Sequence, residues 1–395
     1  MNMRILFVDD EANVLSGLRR MLRGQRDIWD MQFASSGPAA LSMMQEESFD
    51  VIVTDMRMPS MDGAELLTQV SKLYPKTVRL VLSGQSEHEK IFRAIGPAHQ
   101  FMSKPCDPDV LVGTIERACG LQSLMHDESL KQIVSQVSFL PSLPSLYHDL
   151  VSALESDNCS VEHIGTMIGN DIALSAKVLQ LVNSAFFGLP QHVSCPRHAA
   201  SLLGLNILRP LVLLAGSFSQ FEDPNLQGYS LEQTVRHSLS VATTARAIAS
   251  SQTNVGQTVD DAFIAGMMHD IGKLILAVNM SERYQTAINL SVKAAVPLWQ
   301  AELEVFGTTH AEIGAHLLGL WGLPNSVVEA VAFHHRPSHA KNLMFCPLTA
   351  VHVANELVQS GHPSNAGFDD AYLESVGVAS ELVGWRLKAA RERAA

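Results

Sequence analysis

Cysteine is scarce in this sequence: 395 residues hold five, Cys106, Cys119, Cys159, Cys195 and Cys346, with no C-x-x-C spacing. An odd, scattered set argues against a disulfide framework and predicts a reducing compartment. Positive charge is short as well, with 28 Lys and Arg against 40 Asp and Glu, a formal balance of −12. A surface built to neutralise nucleic-acid phosphates needs the opposite balance, so nucleic acid is not the expected partner. Long apolar runs are missing. The most membrane-like one, Ala199–Phe218, is broken by Asn206, Arg209 and Pro210, which predicts buried helices and no membrane insertion. Residues 1–8 (MNMRILFV) lack the apolar core and cleavage site of a secretory signal, so the expected location is cytoplasmic. Neither G-x-x-x-x-G-K-[ST] nor G-x-G-x-x-G occurs, which removes the usual nucleotide phosphate cradles. The basic residues near the end, Arg386, Lys388, Arg391 and Arg393, read as a solvated face rather than a nucleic-acid arm.

What is present divides the chain. Its length allows two or three domains, and 47% hydrophobic content supplies their cores. Over residues 1–120, short apolar runs (Arg4–Val8, Met31–Ala34, Val51–Thr54, Val78–Leu82, Gln100–Met102) alternate with helix-period segments (Val14–Arg23, Pro38–Glu46, Gly63–Leu73, Glu87–Ala94, Asp107–Ala118). Five β-α units predict a doubly wound, five-stranded parallel sheet with its chemistry at the carboxyl ends of the strands. Asp9 and Asp10 follow the first strand, Asp55 ends the third, Ser83 ends the fourth, and Lys104 follows the fifth. Three carboxylates on one edge make a hard-oxygen site suited to Mg²⁺. With that charge screened, one carboxylate can attack phosphorus while an ammonium opposite holds the phosphoryl oxygens.

The motifs VDDE, TDMRMPSMDG, LSG and SKP resemble the receiver domain of two-component response regulators over the whole of residues 1–120. The resemblance implies Asp55 as phospho-acceptor, and Asp9, Asp10, Asp55 and the carbonyl of Arg57 as Mg²⁺ ligands. It implies Ser83 as the switch hydroxyl, Phe101 as the rotating aromatic and Lys104 as the phosphate contact. A sensor histidine kinase or phosphotransfer protein is the implied phosphodonor. The resemblance implies that phosphorylation, which adds about −1.5 to −2 charge, would turn Ser83 to meet it and let Phe101 move inward, changing the outer face that another domain reads.

Residues 121–139 form a connector. Leu121, Leu124, Leu130, Ile133, Val137 and Leu140 recur at intervals near three and four, an amphipathic helix whose stripe serves as an interdomain seam, a homodimer seam or simple packing.

From residue 140 strand patterns nearly vanish and helix-period segments follow one another, with breakers such as Pro190, Pro224, Pro297 and Pro324 between them. An all-α domain is expected, including one helix over Asp261–Val278 that carries the adjacent pair His269–Asp270 in an apolar setting. His237 falls mid-helix, His310 opens a later helix and His334–His335 ends another. Imidazoles and a carboxylate from several helices suit Fe, Mn or Zn, and a bound water there attacks a phosphodiester. A buried carboxylate needs partners; Lys273, one turn after Asp270, is one. Asp171 and Asn183 read as helix caps or bridges.

This constellation resembles the HD superfamily of metal-dependent phosphohydrolases, and more closely its HDOD branch. LPSLP, NDIALSAKVL, NSAFFG, AASLLG, MMHDIGKLIL, HAEIGAHLLGLWGLP and FHHRP carry that likeness from about Leu140 to Pro337, with residues 338–395 expected as helices completing the domain. The implied metal-centre set is His237, His269, Asp270, His310, His334 and His335. Departures from the cyclic-di-GMP-cleaving HD-GYP branch are specific. Gln233 stands where that branch has a glutamate, Asn355 where HD enzymes close with an aspartate, and Arg336, Pro337, Ser338 and His339 replace the substrate loop. The expected function is a response regulator signalling to a downstream protein through a non-catalytic HDOD domain; the alternative is a metal-dependent phosphodiesterase on a cyclic dinucleotide or other nucleotide.

Overall fold

The computed structural model describes residues 3–84, 94, 96–120, 128–137, 140, 144–156, 159–184, 192–208, 211–212, 226–340, 344–359 and 367–386. Five strands, β1 (Met3–Val8), β2 (Trp29–Ala34), β3 (Val51–Asp55), β4 (Val78–Gly84) and β5 (Gln100–Lys104), pair in parallel in the order β2-β1-β3-β4-β5. Helices α1 (Ala12–Met21), α2 (Gly37–Glu46), α3 (Gly63–Leu73) and α4 (Pro108–Gly120) complete the described part of the doubly wound layer. The expected helix at Glu87–Ala94 lies almost wholly outside the described residues.

β3 is buried along its whole length, as a central parallel strand with both faces covered must be. The order reverses around β1, so β1 and β3 leave the sheet beside each other and open a crevice at their carboxyl ends. α3 starts there on a capping box: the Asp62 carboxylate accepts from Glu65 N at 2.9 Å while Glu65 accepts from Asp62 N, satisfying donors that a helix start leaves open. Gly63 is required at this point, because a Cβ would lie 2.2 Å from the Asp55 carbonyl oxygen.

The remainder is helical: α5 (Glu128–Gln136), α6 (Pro144–Glu155), α7 (Val161–Ile168), α8 (Ile172–Val182), α9 (Pro196–Leu203), α10 (Leu231–Gln252), α11 (Gly256–Met268), α12 (Ile271–Asn279), α13 (Ser281–Ala294), α14 (Leu298–Phe306), α15 (His310–Leu320), α16 (Asn325–Phe333), α17 (Pro347–Gln359) and α18 (Asp370–Val376). Parts of the LPSLP and NSAFFG motifs, the connector residues 121–127 and the basic residues beyond Arg386 lie outside the described residues. Asp171 caps α8, accepting from Leu174 N at 2.9 Å, and Asn183 bridges to both backbone groups of Val193.

One expectation is corrected. Asp261–Val278 is not a single helix; α11 ends at Met268 and α12 begins at Ile271, with His269–Asp270 at the break. Asp270 leaves helical geometry at φ −99°, ψ 9°. The break turns both side chains into one centre, whereas residues adjacent on a continuous helix diverge by about 100°.

The two halves pack together through polar groups. Arg79, inside β4 and 1% exposed, donates to the carbonyls of Pro97, Pro75, Thr77 and Ser135. His99 accepts from Arg79 N through Nδ1 and, as the neutral Nε2–H tautomer, donates to Ser135 O at 3.0 Å; burial and the neighbouring guanidinium hold its pKa well below the usual imidazole range. Gln180 of α8 donates to His99 O at 2.7 Å, and Gln100 donates to the carbonyls of Leu320 at 3.0 Å and Gly319 at 3.4 Å. In α5, Leu130 and Val134 are fully buried, and this helix packs on α15. Within one chain, its described stripe is therefore an interdomain seam.

Candidate functional site

Two centres emerge. At the sheet edge, Lys104 projects back from the end of β5 and donates to Asp9 Oδ2 at 2.6 Å and to Asp55 Oδ1. Arg57 N donates to the other Asp55 oxygen and Glu11 N to Asp9 Oδ1 at 2.9 Å. Asp9 and Asp55 are buried and Asp10 is exposed at the mouth. Burial raises the Asp55 pKa against the opposing pull of Lys104. Burial works against the Lys104 ammonium, but its hydrogen bonds and charge attraction to Asp55 and Asp9 win and raise its pKa. One ammonium facing three carboxylates leaves negative charge uncompensated, and the all-oxygen donor set of Asp9, Asp10, Asp55 and the Arg57 carbonyl fits Mg²⁺.

Ser83 is fully buried at the end of β4, opposite Ser103 of β5 in the ladder. Phe101 is also buried, at 1% exposure. Its burial therefore does not await phosphorylation: β5 already lies against the helical half, where α8 touches it.

The second centre gathers around Asp270. His310 Nε2 lies 3.2 Å from Asp270 Oδ1, His269 Nε2 3.3 Å and His237 Nε2 3.8 Å from Oδ2, and His334 Nε2 4.0 Å from Oδ1. His335 Nε2 reaches His310 Nε2 at 3.1 Å. Lys273 closes the shell, donating to Asp270 Oδ2 at 2.7 Å. Burial opposes ionisation of Asp270, yet His269 and the Lys273 ammonium beside it hold its pKa well below the carboxylate range. Burial pushes the other way on histidine: His237 falls to about 4, and His334 and His335 lie well below their usual range.

Two side chains are oriented from the backbone. His269 Nδ1 donates to Gly266 O at 2.7 Å and His334 Nδ1 to Val331 O at 2.8 Å, which fixes the tautomer and turns each Nε2 lone pair inward. Nε2 of His334 is buried with no hydrogen-bond partner. Ligand atoms of His310, His334 and His335 lie within 4.8 Å of one another, as do those of His237, His269 and Asp270. Orphaned imidazole nitrogens facing a carboxylate fit a divalent transition metal.

The amide positions behave differently. Asn355 Oδ1 accepts from His237 Nε2 at 3.0 Å and from Gln359 Nε2 at 2.9 Å, so it completes the shell as a neutral group. Gln233 is exposed, and its backbone N–H bonds the Ser230 cap of α10; it takes no part in the centre among the described contacts.

Glu302 is the residue that sequence reasoning missed. Fully buried on α14, it accepts from His310 N at 2.8 Å and His310 Nδ1 at 2.6 Å. Burial opposes a charged His310, but Glu302 outweighs it and raises the imidazole's pKa. A signal was present: Leu298, Ala301, Glu302 and Val305 share the i, i+3, i+4, i+7 stripe of α14, which places a carboxylate on an apolar face.

Residues 140–337 match the HDOD domain, and residues 5–116 match the response regulator receiver domain. The chain belongs to the HDOD family. It combines an HDOD domain with an N-terminal receiver, the arrangement of a signalling response regulator. Among similar curated proteins, an uncharacterized protein of Treponema pallidum is 26% identical over 209 residues, covering 53% of this chain and 40% of that protein. The hydrogenase transcriptional regulatory protein HoxA of Bradyrhizobium diazoefficiens is 34% identical over 125 residues, 31% of this chain and 25% of that protein. The HDOD chain thus spans less than half the length of either relative. Among solved structures, the signal receiver domain of an HD domain-containing protein from Pseudomonas fluorescens is 28% identical, covering 31% of this chain and 98% of that one at a TM-score of 0.30. The MmoQ response regulator of Methylococcus capsulatus is 22% identical, covering 63% and 98% at a TM-score of 0.47. No described helix of the HDOD chain is long and apolar enough to cross a membrane.

Proposed function

We propose that this HDOD protein is a cytoplasmic response regulator phosphorylated on Asp55 by a sensor histidine kinase or phosphotransfer protein, and that its HDOD domain signals by contact with a downstream protein without turnover. The observation that carries the reading is Lys104, which reaches Asp9 and Asp55 together from across the sheet edge. A carboxylate oxygen of Asp55 attacks phosphorus, an O–P bond forms as the donor's P–N bond breaks, and the leaving imidazole takes up a proton. Asp9, Asp10, Asp55 and the Arg57 carbonyl would hold Mg²⁺, which supplies charge screening of the carboxylates and phosphoryl oxygens. Lys104 moves from Asp55 to a phosphoryl oxygen, and Ser83, one strand away, donates to another.

Absence of turnover rests on the amide shell of the second centre. Asn355 offers a neutral oxygen to His237, leaving five imidazoles and one carboxylate, which is poor charge balance for two divalent ions. We assign residues 1–120 to the receiver, 121–139 to the connector and 338–395 to helices that complete the HDOD domain. Incubation of the protein with a small phosphodonor and Mg²⁺ is expected to give an acid-stable, base-labile label that Asp55→Asn abolishes; undiminished labelling of the variant contradicts the assignment.

A second reading is favoured by the two ligand groups, each within 4.8 Å: an HD-type phosphohydrolase on a cyclic dinucleotide such as cyclic-di-GMP or on another nucleotide, using Fe, Mn or Zn. Metal analysis of anaerobically purified protein and a nucleotide turnover screen with Asp270→Ala as control separate the two. Turnover that disappears in the variant establishes the hydrolase.

A further inference from the structure

α15, a helix of the HDOD domain, runs from the HD centre to the receiver. Its first residue, His310, faces Asp270, and the carbonyls of its last two residues, Gly319 and Leu320, accept from Gln100 of β5. Eleven residues at about 1.5 Å each make a rod of roughly 16 Å. Helix ends leave carbonyls without intrahelical donors, and the receiver supplies one for Leu320. The same five-residue strand ends in Lys104, which holds Asp55.

Neither end of the rod has slack. At the receiver end, Gly322 adopts φ +74°, and a Cβ there would lie 3.1 Å from the Gln100 amide carbon. At the other end, a Cβ on Gly272 would lie 1.9 Å from His310 O, and one on Gly314 would lie 2.7 Å from Ile271 Cγ2. Glu302 grips both N–H groups of His310. Between these points every α15 residue except Glu312 is buried. Packed helices do not deform continuously. A shift of β5 against the HDOD domain must therefore break the Gln100 bonds or carry α15 with it, and His310 is the residue at the far end.

We propose that Gln100 is a positioning residue for the HD centre: through α15, docking of the receiver sets the place of His310 relative to Asp270. The receiver thus acts on the centre by holding a helix rather than by touching any of its ligands. This is independent of whether Asp55 accepts a phosphoryl group and of whether the centre holds a metal.

The test uses hydrogen exchange of the full, untreated chain. In Gln100→Glu a carboxylate replaces the amide beside helix C-terminal carbonyls, so the contact becomes repulsive. Peptides covering 310–316 and 269–272 are expected to exchange about tenfold faster, the scale of one strong or two ordinary hydrogen bonds, while α7, remote from α15, is unchanged. Gln180→Ala loosens the receiver's contact with α8 instead and leaves 310–316 unchanged. If Gln100→Glu does not fold, Gln100→Ala is read the same way. Faster exchange confined to 317–322, or the same uniform increase in both variants, overturns the proposal.

Discussion

At the scale of single residues, both centres are arguments about buried charge. Lys104 is the lone described side-chain cation on Asp9 and Asp55. Lys104→Met leaves the two buried carboxylates to repel each other, so Mg²⁺ is expected to bind more tightly while phosphorylation from a small donor slows by about tenfold or more; labelling kinetics at saturating Mg²⁺ measure it. Asn355 makes the opposite case. Asn355→Asp places a carboxylate against His237 Nε2, and affinity for Zn²⁺ or Mn²⁺, measured by calorimetry, is expected to rise by about tenfold or more. Unchanged affinity would mean that the amide is not what weakens the centre.

Lys177 gives the pH prediction. It is fully buried on α8, its ammonium 4.9 Å from the Trp321 ring, and burial lowers its pKa to about 7. The unfolded chain, with a lysine pKa of about 10.4, binds more protons than the folded one between about pH 7 and 10.4. Stability therefore rises with pH through that window, by at most about 1.4 kcal/mol per pH unit from this group. Lys177→Met removes the group's share of the slope and is expected to be more stable than wild type at pH 7, since an apolar side chain of similar volume carries no desolvation cost. Urea titrations of both proteins at pH 7 and pH 9.5 read the difference.

At the scale of elements, the crossing of α12 on α15 decides the geometry of the HD centre. Gly272 lets the two backbones touch, and Gly272→Ala must separate them or shift His310. Overpacking of this kind costs about 1–3 kcal/mol and more where backbone is struck, to be read as a lower urea midpoint. The glycine was visible in the sequence; its purpose was not, because only the tertiary crossing supplies the opposing His310 carbonyl. The same holds for the His269–Asp270 break. Apolar periodicity runs unbroken from Asp261 to Val278, so periodicity alone predicts one helix, and the turn between α11 and α12 emerges only where both side chains are drawn to a shared centre.

At the scale of the whole molecule, what was legible depended on how local the cause was. The parallel sheet and its edge residues follow from alternation within a few residues of each strand, and Asp9, Asp55, Ser83 and Lys104 stand where that pattern put them. The histidines' helix positions were equally local. Glu302, Arg79, His99 and Gln100 carry contacts separated by up to 220 residues in the chain, and nothing near them announces a partner. Arg79 within the apolar run of β4 was the exposed clue, a charge where a strand buried on both faces has no solvent to offer. Docking through such groups makes the receiver and HDOD domain one packed body, and under the proposed function the chemical state of Asp55 is felt across that seam.

The most direct test is hydrogen exchange of the full chain with and without phosphodonor and Mg²⁺, with Asp55→Asn treated identically. Altered exchange in HDOD segments, α15 foremost, is expected in the labelled wild-type protein alone. Full labelling of Asp55 with exchange throughout residues 140–337 unchanged would contradict it.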